Sequence, residues 1–202
     1  VAAANGNNFY ASIDRGSLTR FGRMLEAYGR LPRGGIAYGG NDGITQIADD
    51  LTFPNGIQVS PDGTKVYVSE TTGERLLTYD RDNQTGKLSL INEMSIDSGL
   101  DNLEWDSDGN LWIGAHPQLL KYLNHSKSHS NHSASQILRI NMNDAMSIDE
   151  IYLNSGGAIS GSSVGAPYQG HLLIGSVYEP FILDCSLNSE STTTAKITSA
   201  MN

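Results

Sequence analysis

The sequence predicts an all-β protein made of propeller blades. Three observations carry that expectation: abundant glycine with few helix-forming runs, a strand–turn–strand pattern that returns at blade-length spacing, and Asp-Gly turns inside the repeats. Glycine accounts for 22 of 202 residues, apolar side chains for 38% and charged ones for 17%, a balance that suits a packed core and argues against disorder. The net charge of −9 argues against nucleic acid as a partner, because phosphate recognition needs a basic face. No apolar run approaches the roughly 20 residues of a membrane span, and nothing at Val1 reads as a signal peptide.

The repeat is clearest in Asn55-Gly-Ile-Gln-Val-Ser-Pro-Asp-Gly63-Thr-Lys-Val-Tyr-Val-Ser69. It returns as Asn102-Leu-Glu-Trp-Asp-Ser-Asp-Gly109-Asn-Leu-Trp-Ile-Gly114, 47 residues later, close to the length of a four-stranded blade. Ser163–Gly175 is a looser copy, and Asn8–Ser12 ends another. Pro61-Asp-Gly63 and Ser107-Asp-Gly109 read as two-residue hairpin turns that need a positive φ. Glu74–Tyr79 and Lys87–Ile91 then form the outer hairpin of the same blade. A jelly roll or sandwich is the alternative, but neither accounts for the near-constant spacing.

Between residues 17 and 28 the period changes. Leu18, Phe21, Met24, Leu25 and Tyr28 fall at helical spacing, and Gly29 and Pro32 stop the run. With Arg15, Arg20, Arg23, Arg30 and Arg33, this is the only basic patch of the chain. It reads either as a surface helix packed on the blades or as a lid that touches a membrane or lipid particle. The stretch from Asn124 to Ser135 reads as an exposed polar loop, and its histidines as solvated side chains.

Cys185 is the single cysteine: a buried thiol, or half of a disulfide whose partner lies outside the 202 residues. Asn83, Asn124 and Asn131 each head an Asn-X-Ser/Thr sequon in a polar stretch, which favours the second reading and a secreted glycoprotein. Asn55 and the pair Asp101-Asn102 stand at the start of successive repeats, where the innermost strands of neighbouring blades approach one axis. Amide and carboxylate oxygens there suit Ca2+, while the alternative is that they only cap strand starts.

The run Leu51–Gly63 resembles the inner-strand motif of the paraoxonase/arylesterase family, as do Leu100-Asp-Asn-Leu103 and Asp108-Gly-Asn-Leu-Trp-Ile-Gly-Ala-His-Pro117. Gln136–Ile140, Gly161–Val164 and His171–Val177 follow in the family's order, so the likeness covers about Asn8 to Leu187. The resemblance implies a six-bladed propeller with two calcium ions, of which this chain supplies about four blades. Residues 1–202 would then be a partial propeller domain lacking its N-terminal blades, with a canopy-type helix at 17–28. By position, Asn55, Asp101 and Asn102 match ligands of the catalytic calcium, Asp14 a ligand of the structural calcium, and His116 a substrate-pocket histidine. Cys185 matches half of the disulfide that closes the ring. The catalytic histidine pair is expected upstream of Val1, so no catalytic residue is assigned here.

One departure matters. Where the family motif reads Asn-Asp-His, this chain reads Ile13-Asp14-Arg15, which removes a side-chain oxygen from the catalytic calcium. The expected activity of the complete protein is calcium-dependent hydrolysis of carboxylic esters or lactones, extending to phosphotriesters. The alternatives are a non-catalytic secreted propeller that binds a partner, or a gluconolactonase- or strictosidine-synthase-like propeller. The expected partners are a small ester or lactone and the N-terminal part of the same protein or a second polypeptide, without which the piece should be unstable.

Overall fold

The computed structural model describes residues 1–41, 43–125, 127, 128, 130–142 and 146–187. They are mostly strand, in antiparallel sheets that follow one another along the chain, and divide into two compact units, Val1–Asn102 and Leu103–Asn202.

In the first unit β1 (Ala2–Ala3), β2 (Phe9–Ile13), β3 (Gly34–Gly40) and β4 (Gly43–Leu51) form one sheet in chain order. The second sheet runs β5 (Pro54–Val59), β6 (Lys65–Glu70), β7 (Arg75–Arg81), β8 (Leu88–Ser95). This up-and-down order is the grammar of a propeller blade. Tyr10 and Ile36 from one sheet and Ile57, Val66, Val68, Leu77 and Tyr79 from the other build a shared buried core. In each sheet the outermost strand faces solvent: most of β4 and β8 is exposed, while β6 and most of β7 are buried.

Arg81 fastens this unit from the end of β7. Its guanidinium donates to Tyr10 Oη (3.0 Å), Gly63 O (2.9 Å), Asn83 Oδ1 (2.6 Å) and Asn5 Oδ1 (2.8 Å). Tyr10 Oη in turn donates to Gly86 O at 2.9 Å. Strand β2, the β5–β6 and β7–β8 turns and the β1–β2 connection therefore meet on one buried cation.

Two local expectations are corrected. Pro61–Thr64 forms a four-residue loop closed by Ser60 N donating to Lys65 O (2.9 Å), not a two-residue turn. Gly63 still carries the positive φ, +74°. The second turn, Ser107–Gly109, has three residues, with Gly109 at +80°. Proline at the start of the first turn is locked at negative φ, which a tight primed turn does not accept.

Helix α1 spans Arg20–Gly29, three residues later than the apolar spacing implies. Thr19 is its N-cap, accepting from Gly22 N at 3.1 Å, and Arg30 in the left-handed region ends it. Its apolar side chains face outward. Glu26 is its buried residue and accepts from Gly16 N and Ser17 N (3.2 and 2.9 Å), whereas Phe21, Met24, Leu25 and Tyr28 are exposed. The Arg30–Glu74 ion pair at 2.7 Å ties its C-terminus to the β6–β7 connection.

Strand β9 (Gly99–Trp105) spans the boundary between the units and forms a sheet with β10 (Asn110–His116), β11 (Ser135–Asn141) and β12 (Ser147–Asn154). Helix α2 (Leu119–His125) lies between β10 and β11. The last sheet holds β13 (Ser162–Tyr168), β14 (His171–Ser176) and β15 (Leu183–Ser186). Trp112, Ile137, Ile159, Leu172 and Ile174 form the core of this unit. Gly114 is required by close approach: a Cβ there would lie 2.3 Å from Ser163 O. The stretch from Asn124 is not the uniformly exposed loop its composition implies. Asn124 and His125 end α2, and His125 and Ser133 are buried.

Candidate functional site

The candidate calcium ligands of the first unit are tied together by hydroxyl groups at the end of β6. Ser69 Oγ accepts from Gly56 N (2.7 Å) and donates to Asp101 O (2.5 Å). Thr71 Oγ1 donates to Leu100 O (2.6 Å) and accepts from Asn55 Nδ2 (3.3 Å). Asn55-Gly56 and Leu100-Asp101, 45 residues apart in sequence, are thus bridged by two side chains two residues apart. Ser12, at the end of β2, donates to Asn55 O at 2.5 Å and so repeats for Asn55 what Ser69 does for Asp101. By this criterion Asn55 is the counterpart of Asp101, not of Asn102 as the sequence repeat implies.

Asp101 is buried at 2% exposure and Asn55 is partly buried, while Asn102 is exposed. Asn102 Nδ2 donates to Asp101 Oδ1 at 3.0 Å, which turns the amide oxygen of Asn102 away from that bond. The chain leading to Asn55 is held under strain. Asp50 and Phe53 have φ of +57° and +53°, sparsely populated for residues with a Cβ. Phe53 O accepts from Thr71 N (2.9 Å), and Thr52 N donates to Glu70 Oε1 (2.7 Å). Glu70, whose side chain is fully buried, is ion-paired with Arg75.

The donor set fits a hard cation. Asn55, Asp101 and Asn102 supply side-chain oxygens only, with one buried carboxylate for charge, and Ca2+ takes about six to eight such oxygens. Among the described residues no three of His, Cys, Asp or Glu gather as a metal site. Ile13 brings no oxygen. Asp14, the expected structural-calcium ligand, lies in the same unit, where Arg15 Nε donates to its Oδ2 at 2.6 Å; the Arg15 guanidinium also lies 5.1 Å from the centre of the Phe53 ring.

In the second unit His116 is fully buried at the end of β10 and stacks on Tyr122 of α2, ring centres 3.5 Å apart and 11° from parallel. His125, one turn further along α2, meets Tyr178 edge-on at 5.1 Å. Its Nδ1 lies 2.7 Å from Asn131 O; since a carbonyl only accepts, Nδ1 carries the proton. A Cβ on Gly161 would lie 3.2 Å from His125 and 3.5 Å from Tyr122, so the glycine lets this pair of rings close in. Tyr122, His125, Ser69 and Thr71 were not legible as site residues. The carbonyls that Ser69 and Thr71 reach lie 32 and 29 residues away, and only the hydroxyl ending a second strand was a usable signal.

Cys185 is a half-buried thiol on β15 opposite Leu172, and burial, with Asp184 beside it, pushes it up. The sequon asparagines are exposed: Asn83 on the β7–β8 turn, Asn124 ending α2, and Asn131, whose Nδ2 donates to Asn124 O at 3.2 Å.

Blade-like sheets with hydroxyl-bridged inner strands define a β-propeller with an oxygen-rich candidate metal locus. The chain belongs to the Arylesterase family, whose pattern matches residues 1–187. It is 30% identical over 181 residues to serum paraoxonase/arylesterase 1 of Rattus norvegicus, covering 88% of this chain and 50% of that protein. It therefore spans about half the length of the curated relatives it matches. Among solved structures it resembles a luciferin-regenerating enzyme (TM-score 0.58, 17% identity, 96% of this chain and 55% of that one). It also resembles regucalcin, a calcium-binding protein of Agrobacterium tumefaciens (TM-score 0.52, 19% identity, 86% of this chain and 55% of that one). These two likenesses concern the fold.

Proposed function

We propose that the complete protein hydrolyses carboxylic esters or lactones in a calcium-dependent reaction, with phosphotriesters as a further substrate class. The observation that carries the reading is the bridging of Asn55 and Asp101 through Ser69 and Thr71 in a member of the Arylesterase family. Asp101, Asn55 and Asn102 would hold the catalytic calcium, and Asp14 the structural one once Arg15 gives way. Bound calcium supplies Lewis-acid polarisation of an ester or lactone carbonyl and a counter-charge for its oxyanion. Asp101 brings the negative charge that attracts the cation into a buried position, and Asn102 holds one of its oxygens in place. His116, clamped against Tyr122, presents a fixed ring edge as a substrate-pocket wall.

In this reading the protein is secreted. The sequons are exposed, and the word serum in the name of the rat relative points the same way. Cys185 takes a disulfide partner from outside these residues, and the N-terminal part of the protein, or a second polypeptide, completes the fold. The outward face of α1, with Phe21, Met24, Leu25 and Tyr28 beside Arg20 and Arg23, touches a membrane or lipid particle. No helix among the described residues is long and apolar enough to cross a membrane.

The test is hydrolysis of phenyl acetate and of a lactone by the full-length protein, with chelator and after calcium is restored. Loss and recovery are expected; hydrolysis unaffected by chelator overturns the reading. A second reading, a propeller that binds without catalysis, draws on Ile13 and on the pairing of Asp14 with Arg15. Calcium binding without hydrolysis of either substrate would favour it.

A further inference from the structure

Thr71 lies just beyond β6 and touches both segments that carry candidate ligands. Its hydroxyl has one hydrogen, and the short bond to Leu100 O, 2.6 Å, takes it. Toward Asn55, at 3.3 Å, the Thr71 oxygen is left only as an acceptor, so the amide nitrogen of Asn55 must face it. The orientation of the Asn55 amide therefore follows from the hydrogen bonds: Nδ2 toward Thr71, Oδ1 away from it. Without the hydroxyl the amide has two near-equivalent orientations, and only one directs the oxygen away from β6.

We propose that Thr71 is the positioning residue for Asn55, holding the amide oxygen in the orientation a cation needs and tying it to the strand that carries Asp101. The inference rests on the calcium reading above. Two features mark this bond as more than packing. The same backbone stretch is held in strained conformations at Asp50 and Phe53, and Thr71 N holds Phe53 O. In addition, Thr71, just past β6, corresponds to His116, the last residue of β10, when Ser69 and Gly114 are aligned.

The experiment is calorimetric titration of full-length protein with Ca2+, comparing wild type, Thr71→Val, Thr71→Ser, Asn55→Ala and the double variant T71V/N55A, with melting temperature followed without calcium. T71V should weaken binding ~10–100-fold, as loss of an outer-shell partner does, and T71S should restore it. In the N55A background T71V should cost nothing further, because a positioning residue acts only through the group it positions. If T71V does not fold, Thr71→Ala removes the same hydroxyl without placing a methyl against the Asn55 amide. Wild-type binding that T71V leaves within twofold overturns this inference alone. Equal weakening by T71V and T71S, or a full additional loss in the N55A background, also overturns it. Wild-type protein that takes up no calcium overturns the calcium reading and this inference together.

Discussion

Ser69 Oγ stands 2.5 Å from the carbonyl oxygen of Asp101 and 2.7 Å from the amide nitrogen of Gly56, so one buried hydroxyl joins the strands that carry the candidate ligands Asn55 and Asp101. Replacing Ser69 by alanine leaves a buried donor and acceptor without that partner. We expect a loss of about 1–3 kcal/mol, read from urea unfolding, together with weaker Ca2+ binding. Unchanged stability would show that the strands are held by packing alone.

Asp101→Ala should weaken Ca2+ binding more than Asn55→Ala, because it removes a buried charge as well as an oxygen. Calorimetry on the two variants checks the ranking, and equal affinities would count against Asp101 as the charged ligand.

Arg81→Met keeps an unbranched apolar stem but deletes the guanidinium that four acceptors share. The expected cost is about 2–4 kcal/mol, since hydrogen bonds to charged groups are worth more than neutral ones. Denaturant unfolding monitored by circular dichroism gives the value. A change below about 0.5 kcal/mol, the range of ordinary surface substitutions, would mean that Arg81 is peripheral.

Burial pushes the Asp106 carboxyl up, but hydrogen bonds from Trp112, Asn110 and Asp108 outweigh it and hold the group below the usual carboxylate range. A depressed native value means the stabilisation is complete above the unfolded value near 3.8 and fades as pH falls through the lower native one. Asp106→Asn should therefore cost about 1–3 kcal/mol at neutral pH and less on acidification toward the native value. Stability curves of both proteins between neutral and acidic pH check this. Curves that stay parallel to the acid limit would remove the carboxylate from the account.

Asn124, Asn131 or both should carry glycan when the protein comes from a secretory host, since both side chains are exposed. A glycan on Asn131 is attached to the nitrogen that donates to Asn124 O and takes one of its two hydrogens. Intact mass before and after deglycosylation decides, and an unshifted mass in material from the native source would argue against secretion.

The strands were legible because strand preference is a local property, as in the β-branched and aromatic run Val66-Tyr-Val68, and because blade spacing repeats it. The turns were placed correctly but mis-sized, since Asp-Gly marks a positive φ without setting the loop length. Helix α1 shows the limit of periodicity. Its apolar residues were read at the right spacing, yet Glu26 faces inward, because the free amides of Gly16 and Ser17 needed an acceptor there.

By itself the sequence determined the all-β class, the blade period, the residue types suited to a hard cation, and the family that residues 1–187 share. The tertiary structure alone decided that Asn55 is level with Asp101, that Ser69 and Thr71 join them, and that His116 lies flat on Tyr122. The reason is one of range. Strand and turn preferences act over a few neighbouring residues, whereas each of those bridges depends on which carbonyl a buried hydroxyl reaches after remote strands have packed, and only packing determines that partner.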